Sequence, residues 1–159
     1  MAQIRHDQTP LARVLKTDGP TAQPSDSLID SARALVAARA SEAPVVDPSG
    51  TLVGIISEHD ILSKSGATVA DVMSQGVITI GADASAAEAA QLMGLHGVHL
   101  LPVVDGSSLV GIVTRSDLLR LYTESPWECD ACRATVHGLN PPARCPHCGA
   151  ADFHEASGG

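Results

Sequence analysis

Every cysteine in this 159-residue chain belongs to one pattern, Cys129-x2-Cys132-x12-Cys145-x2-Cys148. Each CxxC turn offers two sulfurs to one side of a cation, and the intervening loop brings the second pair round. In a reducing compartment such a set is read as a closed tetrathiolate metal site, not as two disulfides. Four protein ligands leave no open position for a substrate, so the expected role is structural. A segment of about thirty residues buries too little apolar surface to fold alone, which makes metal binding its main source of stability. Tetrahedral sulfur sites accept zinc and iron. His137 and His147 are spare donors expected to face solvent.

A second chemistry-bearing pattern occurs twice: Ser57-Glu58-His59-Asp60 and Thr114-Arg115-Ser116-Asp117. Each follows an apolar run and precedes a helical pattern, placing a hydroxyl at the N-cap and a carboxylate three residues on. As a capping box the motif stabilises its helix by about 0.5–2 kcal/mol. As a binding element the same helix start offers free N–H groups to a phosphate, and the carboxylate accepts two sugar hydroxyls. Both uses draw on one set of atoms. Ser57, His59 and Asp60 do not form a hydrolytic triad, because residues one and two apart on a helix diverge. His96 and His99 straddle Gly97 at an expected helix end and lack a third ligand, so a loop role is expected for them.

These turns sit inside a duplicated unit. Residues 13–62 and 71–119 align at an offset of 58, then 57: APVVD at 43–47 answers LPVVD at 101–105, and LVGIISEHDIL at 52–62 answers LVGIVTRSDLL at 109–119. Fifty residues bury little surface alone, so the copies are expected to share a core and to leave two related clefts. Each copy reads as strand, helix, strand, turn, strand, helix. Leu28, Ala32, Leu35 and Val36 mark one apolar helix face, and Ala86, Ala89, Ala90 and Met93 the other. Ser27 and Ser85 are the expected N-caps, with Asp30 and Glu88 completing capping boxes. Ala43–Val46 with Leu52–Ile56, and Leu100–Val104 with Leu109–Val113, read as hairpins of strands covered on both faces. Gly54 and Gly111 interrupt the returning strands at equivalent points; the readings are helix-on-sheet packing, or a bulge or close approach that serves a ligand.

Composition narrows the function. The formal charge of −8 divides into 8 basic against 14 acidic residues over 1–126 and 2 against 4 over 127–159. Neither part neutralises phosphates in bulk, which argues against nucleic-acid binding. The opening MAQIRHDQTP is polar, and no stretch approaches the eighteen apolar residues of a membrane span, so a soluble cytoplasmic protein without membrane contact is expected. Only Tyr122, Trp127 and Phe153 are aromatic, so the main core must be built from Val, Ile, Leu and Ala.

The repeat resembles a tandem pair of cystathionine β-synthase (CBS) domains, the Bateman module. The residues carrying the likeness are the openings Pro20-Thr21-Ala22 and Val77-Ile78-Thr79-Ile80, the PVVD strands, and the closing GIISEHD and GIVTRSD turns. The resemblance implies an α/β (α+β) fold: two CBS motifs, at 8–66 and 68–124, forming a pseudo-twofold module, followed by a four-cysteine zinc-ribbon domain at 125–159. It further implies an adenosine-containing ligand of the AMP, ADP, ATP or S-adenosylmethionine type. Asp60 and Asp117 would hold ribose hydroxyls, Ser57 and Thr114 the phosphate side, and Thr21 and Thr79 the rim. By family habit Thr21 goes with Thr114 and Asp117, and Thr79 with Ser57 and Asp60. Glu42 and Leu100 stand where binders of highly charged nucleotides often carry a base, leaving Arg115 as the well-placed cation of the closing turns. A weakly charged adenosyl ligand, or occupancy of one cleft, is therefore expected. A homodimer is also implied.

The tail is similar to zinc ribbons and, through its spacing, Pro141-Pro142, the CPHCG knuckle and Phe153, to the rubredoxin-like domain of rubrerythrins. It departs from the latter at Arg133, where rubredoxins carry glycine, and no di-iron carboxylate bundle accompanies it. Zinc is thus the expected ion and iron the alternative. The expected function is non-enzymatic: a regulatory module sensing an adenosyl ligand, with the ribbon contacting a protein partner. The alternative is a small FeS4 electron carrier gated by the module. No convergent nucleophile, base and open metal site supports an enzyme.

Overall fold

The computed structural model describes residues 9–157. The expected boundary at residue 8, most of the polar opening and residues 158–159 lie outside the described residues. The described residues divide into two compact units, one of residues 15–82 with 100–112, the other of residues 9–14 with 83–99 and 113–157.

In the first unit, helix α1 (Leu28–Ala38) starts at Ser27, whose hydroxyl accepts from the Asp30 amide. Strands β1 (Glu42–Val46) and β2 (Leu52–Ser57) form an antiparallel hairpin with a register shift between Val45 and Val46. Its Asp47-Pro48-Ser49-Gly50 turn is held by Asp47, which accepts from the Ser49 and Thr51 amides. Helices α2 (Glu58–Ser63) and α3 (Val69–Val72) follow. The apolar centre joins Ala22, Leu35, Ala43, Val45, Ile56, Val69 and Val72. Thus α3, at the opening of the second copy, supplies two core side chains. Strand β3 (Ile80–Gly81) runs parallel to β4 (Leu100–Asp105), and β4 neighbours β5 (Ser108–Thr114) in the same sheet. The central residues Leu100–Val103 are all buried, as strands covered on both faces require.

The second unit holds α4 (Ala86–His96), α5 (Arg115–Glu124) and the cysteine tail. Ala86, Ala89 and Met93 are the buried face of α4, and the helix ends at Gly97 with φ 64°, a left-handed cap that glycine adopts without strain. A short 3-10 turn, Leu11–Arg13, is fixed on this helix start by hydrogen bonds from Leu11 N to Ala84 O and from Ala86 N to Thr9 O. Beyond Ser125, β6 (Pro126–Cys129) is the central strand between β7 (Thr135–His137) and β8 (Phe153–Glu155), both antiparallel to it. Trp127 is buried on β6 and donates through Nε1 to Gly138 O at 2.9 Å. Arg13 reaches this small sheet, pairing with Glu155 at 2.9 Å.

Three expectations are corrected. The first copy opens on no strand: Ala22 makes a single parallel bridge to Val45, with Pro20 and Pro24 on either side unable to donate to a ladder. In the second copy pairing is confined to Ile80–Gly81, beyond Val77–Thr79. Ser27 makes only half a box, because Asp30 turns toward Arg33 and does not return to the cap amide; Ser85 and Glu88 make the full one. Val36 is 79% exposed, and Ser31 takes its place beside Leu35 on the buried face of α1.

Candidate functional site

Three arrangements in the described residues bring polar chemistry together. The first is the pair of closing turns. Ser57 and Thr114 end β2 and β5 in extended conformation, and each hydroxyl accepts from the amide three residues on. Asp60 Oδ2 accepts from the Ser57 amide at 3.0 Å and from its hydroxyl at 2.9 Å. Asp117 Oδ2 accepts from the Thr114 amide at 2.9 Å and from its hydroxyl at 2.7 Å. The two turns are the same object: full capping boxes with a buried carboxylate, Asp60 at 4% exposure and Asp117 at 1%. They differ in the second carboxylate oxygen. Asp60 Oδ1 takes the Lys64 ammonium at 2.6 Å, whereas Arg120 stands 3.6 Å from Asp117 Oδ1. Burial works against ionisation of Asp60, but the Lys64 ammonium and the Ser57 hydroxyl and amide outweigh it and hold the carboxyl below its ordinary range. His59 is exposed and reaches Ser63 instead, 3.2 Å away, so Ser57, His59 and Asp60 do not converge. Arg115 is exposed and donates to Val98 O at 3.3 Å.

The second arrangement is a cleft in the first unit. Lys16 exchanges both backbone hydrogen bonds with Ile112, at 3.0 and 2.9 Å, and Ser74 does the same with Ile55, at 2.9 and 2.9 Å. The segment that opens one copy is thereby stitched to the returning strand of the other, twice over. This accounts for both glycines. A Cβ on Gly111 would lie 2.5 Å from Lys16 O, and one on Gly54 would lie 2.9 Å from Ser74 O. The close approach is by backbone, so neither glycine's missing side chain needs a ligand to explain it. Beside the Lys16–Ile112 bridge lies a cavity of about 210 Å³. Pro44, Val46, Leu109, Val110 and Ile112 give it an apolar wall, and Lys16, Thr17 and Thr21 a polar rim. Thr21 is thus placed at a cavity, and Lys16, which sequence reasoning missed, is placed with it. Thr79 is exposed immediately before β3.

The third arrangement is the cysteine cluster. The four sulfurs lie within 4.8 Å of one another, with Cys129 and Cys148 at 3.6 Å and Cys132 and Cys145 also at 3.6 Å. A disulfide needs about 2.05 Å. Four sulfurs set tetrahedrally about 2.3 Å from a zinc ion stand about 3.8 Å apart, so the donor set fits a metal ion. Cys129 and Cys145 are buried, Cys132 and Cys148 exposed. The two knuckles are built alike: Arg133 N donates to Cys129 O at 2.9 Å, and Gly149 N to Cys145 O at 2.8 Å. Arg133 holds φ 64° and Gly149 φ 79°, so the arginine adopts the left-handed turn its glycine counterpart adopts freely. The Ala134 and Ala150 amides then reach the Cys132 and Cys148 sulfurs.

Without a cation the thiols share protons unequally. Burial resists ionisation of Cys145, but the His147 and Cys148 amides and the thiols of Cys132 and Cys129 outweigh it, bringing this group down to about 6. The Ala134 amide favours the Cys132 thiolate, yet burial and the neighbouring sulfurs push that thiol up to about 12. Cys148 is raised as well, its Ala150 amide and Cys132 being outweighed by burial and by Cys129 and Cys145. Crowded thiolates repel, and a divalent cation removes that penalty. His137 and His147 are exposed and outside the cluster. No helix among the described residues is long and apolar enough to cross a membrane.

Comparison with known proteins agrees with this geometry. The CBS domain family matches residues 11–66 and 69–124. Over 106 residues the chain is 35% identical to L-aspartate semialdehyde sulfurtransferase of Methanocaldococcus jannaschii, covering 64% of this chain and 21% of that protein. Over 110 residues it is 34% identical to inosine-5'-monophosphate dehydrogenase of the same organism, covering 67% and 22%. The chain therefore spans about a fifth of the length of these relatives. Among solved structures, the CBS domain pair of protein MJ0100 in complex with 5'-methylthioadenosine and S-adenosyl-L-methionine superposes with a TM-score of 0.68 at 32% identity, over 74% of this chain and 98% of that one. CBSX2, a CBS-pair protein of Arabidopsis thaliana, in complex with AMP gives 0.64 at 27% identity, over 74% and 93%. With a duplicated unit in the sequence, matching closing turns in the structure and a tandem family match over most of its length, the chain belongs to the CBS domain family, as a CBS pair followed by a four-cysteine ribbon.

Proposed function

We propose that this chain is a regulatory module that binds an adenosine-containing ligand in its CBS pair and signals through a change in packing. The observation that carries the reading is the cavity between the first opening and β5. Its apolar wall suits a flat base, its threonine-bearing rim suits a sugar or phosphate, and related CBS pairs hold AMP, or 5'-methylthioadenosine and S-adenosyl-L-methionine. In this reading Asp60 and Asp117 hold ribose hydroxyls, Ser57, Thr114 and Arg115 face the phosphate side, and Thr21 and Thr79 form the rims. The capping boxes leave each carboxylate buried and fixed in direction, which is what a hydroxyl-accepting group needs. The ribbon is a structural zinc site that contacts a protein partner, the module acts as a homodimer in the cytoplasm, and the chain has no catalytic activity of its own. A thermal-shift panel of AMP, ADP, ATP, S-adenosylmethionine and 5'-methylthioadenosine tests the reading. Ligand at 100 times its dissociation constant adds about 2.7 kcal/mol of stability. No shift with any of the five would remove the sensor reading.

One observation keeps a second reading in play. Arg133 adopts the turn that a rubredoxin glycine supplies, and the Ala134 amide still reaches sulfur, so the cluster suits iron as well as zinc. An FeS4 electron carrier gated by the module would be purified red and redox-active. Colourless protein with one zinc per chain would exclude it.

A further inference from the structure

Helix α1 borders a second cavity that the adenosyl reading leaves unused. It holds about 150 Å³ within the first unit and shares only Pro20 and Thr21 with the larger one. Ala22, Leu35, Ala43 and Ile56 give it an apolar wall, while Asp26, Asp30 and Ser31 bring polar chemistry to it. No basic side chain lines it, and the exposed Arg33 stands 3.9 Å from Asp30 Oδ1. The helix start accounts for the two acids, since carboxylates there offset the positive end of the helix dipole, and Asp26 Oδ2 also accepts from the Gln23 amide at 2.8 Å. It does not account for Ser31. That residue is 5% exposed, and its Oγ has no hydrogen-bond partner among the described residues. Packing does not call for a hydroxyl here, because the offset of 58 places Ala89 at the equivalent position of α4, where it is buried. A buried hydroxyl unpaired within the chain costs free energy, and an occupant that donates to it recovers that cost.

We propose that this cavity binds the ammonium end of a short aliphatic amine. The ammonium donates to Ser31 Oγ and is neutralised by the carboxylates of Asp26 and Asp30, while the methylenes lie against Ala22, Leu35, Ala43 and Ile56. Two acids without a base repel a phosphate or a carboxylate, and the hydroxyl favours a cation that carries N–H over a quaternary one. Size sets a further limit: the cavity falls below the range of about 300–1,000 Å³ that holds a drug-sized ligand, so a nucleoside is excluded and a chain of a few carbons is admitted. The site is separate from the one given to the adenosyl ligand.

Titration of the full, metal-replete chain with n-butylammonium, n-butanol, butyrate and tetramethylammonium at constant ionic strength tests the assignment, followed by melting temperature and by backbone amide NMR. Only n-butylammonium should raise the melting temperature saturably, with amide shifts centred on residues 21–35, and tetramethylammonium should bind at least about tenfold more weakly. Ser31→Ala installs the residue that α4 already carries at this place. Without amine it should melt at the parent's temperature or above, because an unpaired buried hydroxyl is gone, yet it should bind n-butylammonium about tenfold more weakly. Replacing Asp26 and Asp30 together by asparagine should abolish the preference for the amine over n-butanol. A parent that shows no saturable response, that responds equally to n-butanol, or whose affinity survives Ser31→Ala unchanged would overturn the proposal. The adenosyl panel is read with different compounds, so failure of one site leaves the other standing.

Discussion

Asp60 accepts the ammonium of Lys64 at 2.6 Å through the one carboxylate oxygen that its helix cap leaves over. The folded state therefore stabilises the ionised form of a buried acid. Because the folded pKa lies below the unfolded one, the stabilisation is present above the unfolded value of about 4 and is lost as pH falls through the folded value. Melting temperature followed from pH 7 to pH 3 should fall less steeply in Asp60→Asn than in the parent. Asp47 and Asp71 are lowered too and keep an acid limb in both proteins. Parallel curves would contradict the role given to Asp60.

Replacing the cap hydroxyls separates folding from binding. Ser57→Ala and Thr114→Ala each remove the acceptor of one helix-start amide, at 3.1 and 3.3 Å, and should cost about 0.5–2 kcal/mol in denaturant unfolding without any ligand. Asp117→Ala should in addition abolish the ligand-induced rise in melting temperature. A full ligand response in that variant would show that Asp117 serves the helix alone.

The stitched backbone predicts an unusual sensitivity at two small residues. Gly111→Ala forces a Cβ to 2.5 Å from Lys16 O, and Gly54→Ala to 2.9 Å from Ser74 O; backbone atoms held by paired hydrogen bonds yield poorly. Each should destabilise by about 1–3 kcal/mol, with Gly111→Ala the larger. Gly94→Ala, where a Cβ meets nothing within 4 Å, is the control and should stabilise α4 slightly.

Metal removal has an internal reporter. Trp127 is the chain's one tryptophan, buried two residues before Cys129 on the central ribbon strand. Chelation should red-shift its fluorescence and open the cluster to alkylation, with Cys145, brought down to about 6, reacting ahead of Cys132 and Cys148, while the CBS pair keeps its helical circular dichroism. Since Cys132 and Cys148 are held protonated without metal, binding must displace their protons, and metal affinity should fall as pH falls. An affinity independent of pH between 8 and 6 would contradict a thiolate site.

The duplication made much of this visible beforehand. The caps at Ser57, Ser85 and Thr114 were legible because a hydroxyl and an acid three residues apart make a local interaction that needs no tertiary context. The same signal stands at Thr68 and Asp71 and would have found α3, whose Val69 and Val72 enter the core. Lys16 was not legible: its place at the cavity depends on pairing with Ile112, 96 positions away, and long-range backbone pairing leaves no mark on a single sequence. Val36 misled for a related reason, since periodicity names an apolar stripe and the neighbouring elements decide which edge of it is covered.

The central claim is that the cleft beside the Lys16–Ile112 bridge receives the ligand, and backbone amide NMR during titration with AMP reads it residue by residue. Shifts concentrated in residues 16–21 and 109–112, saturating with the binding isotherm, are expected. Saturable binding that leaves both segments unmoved would contradict the account.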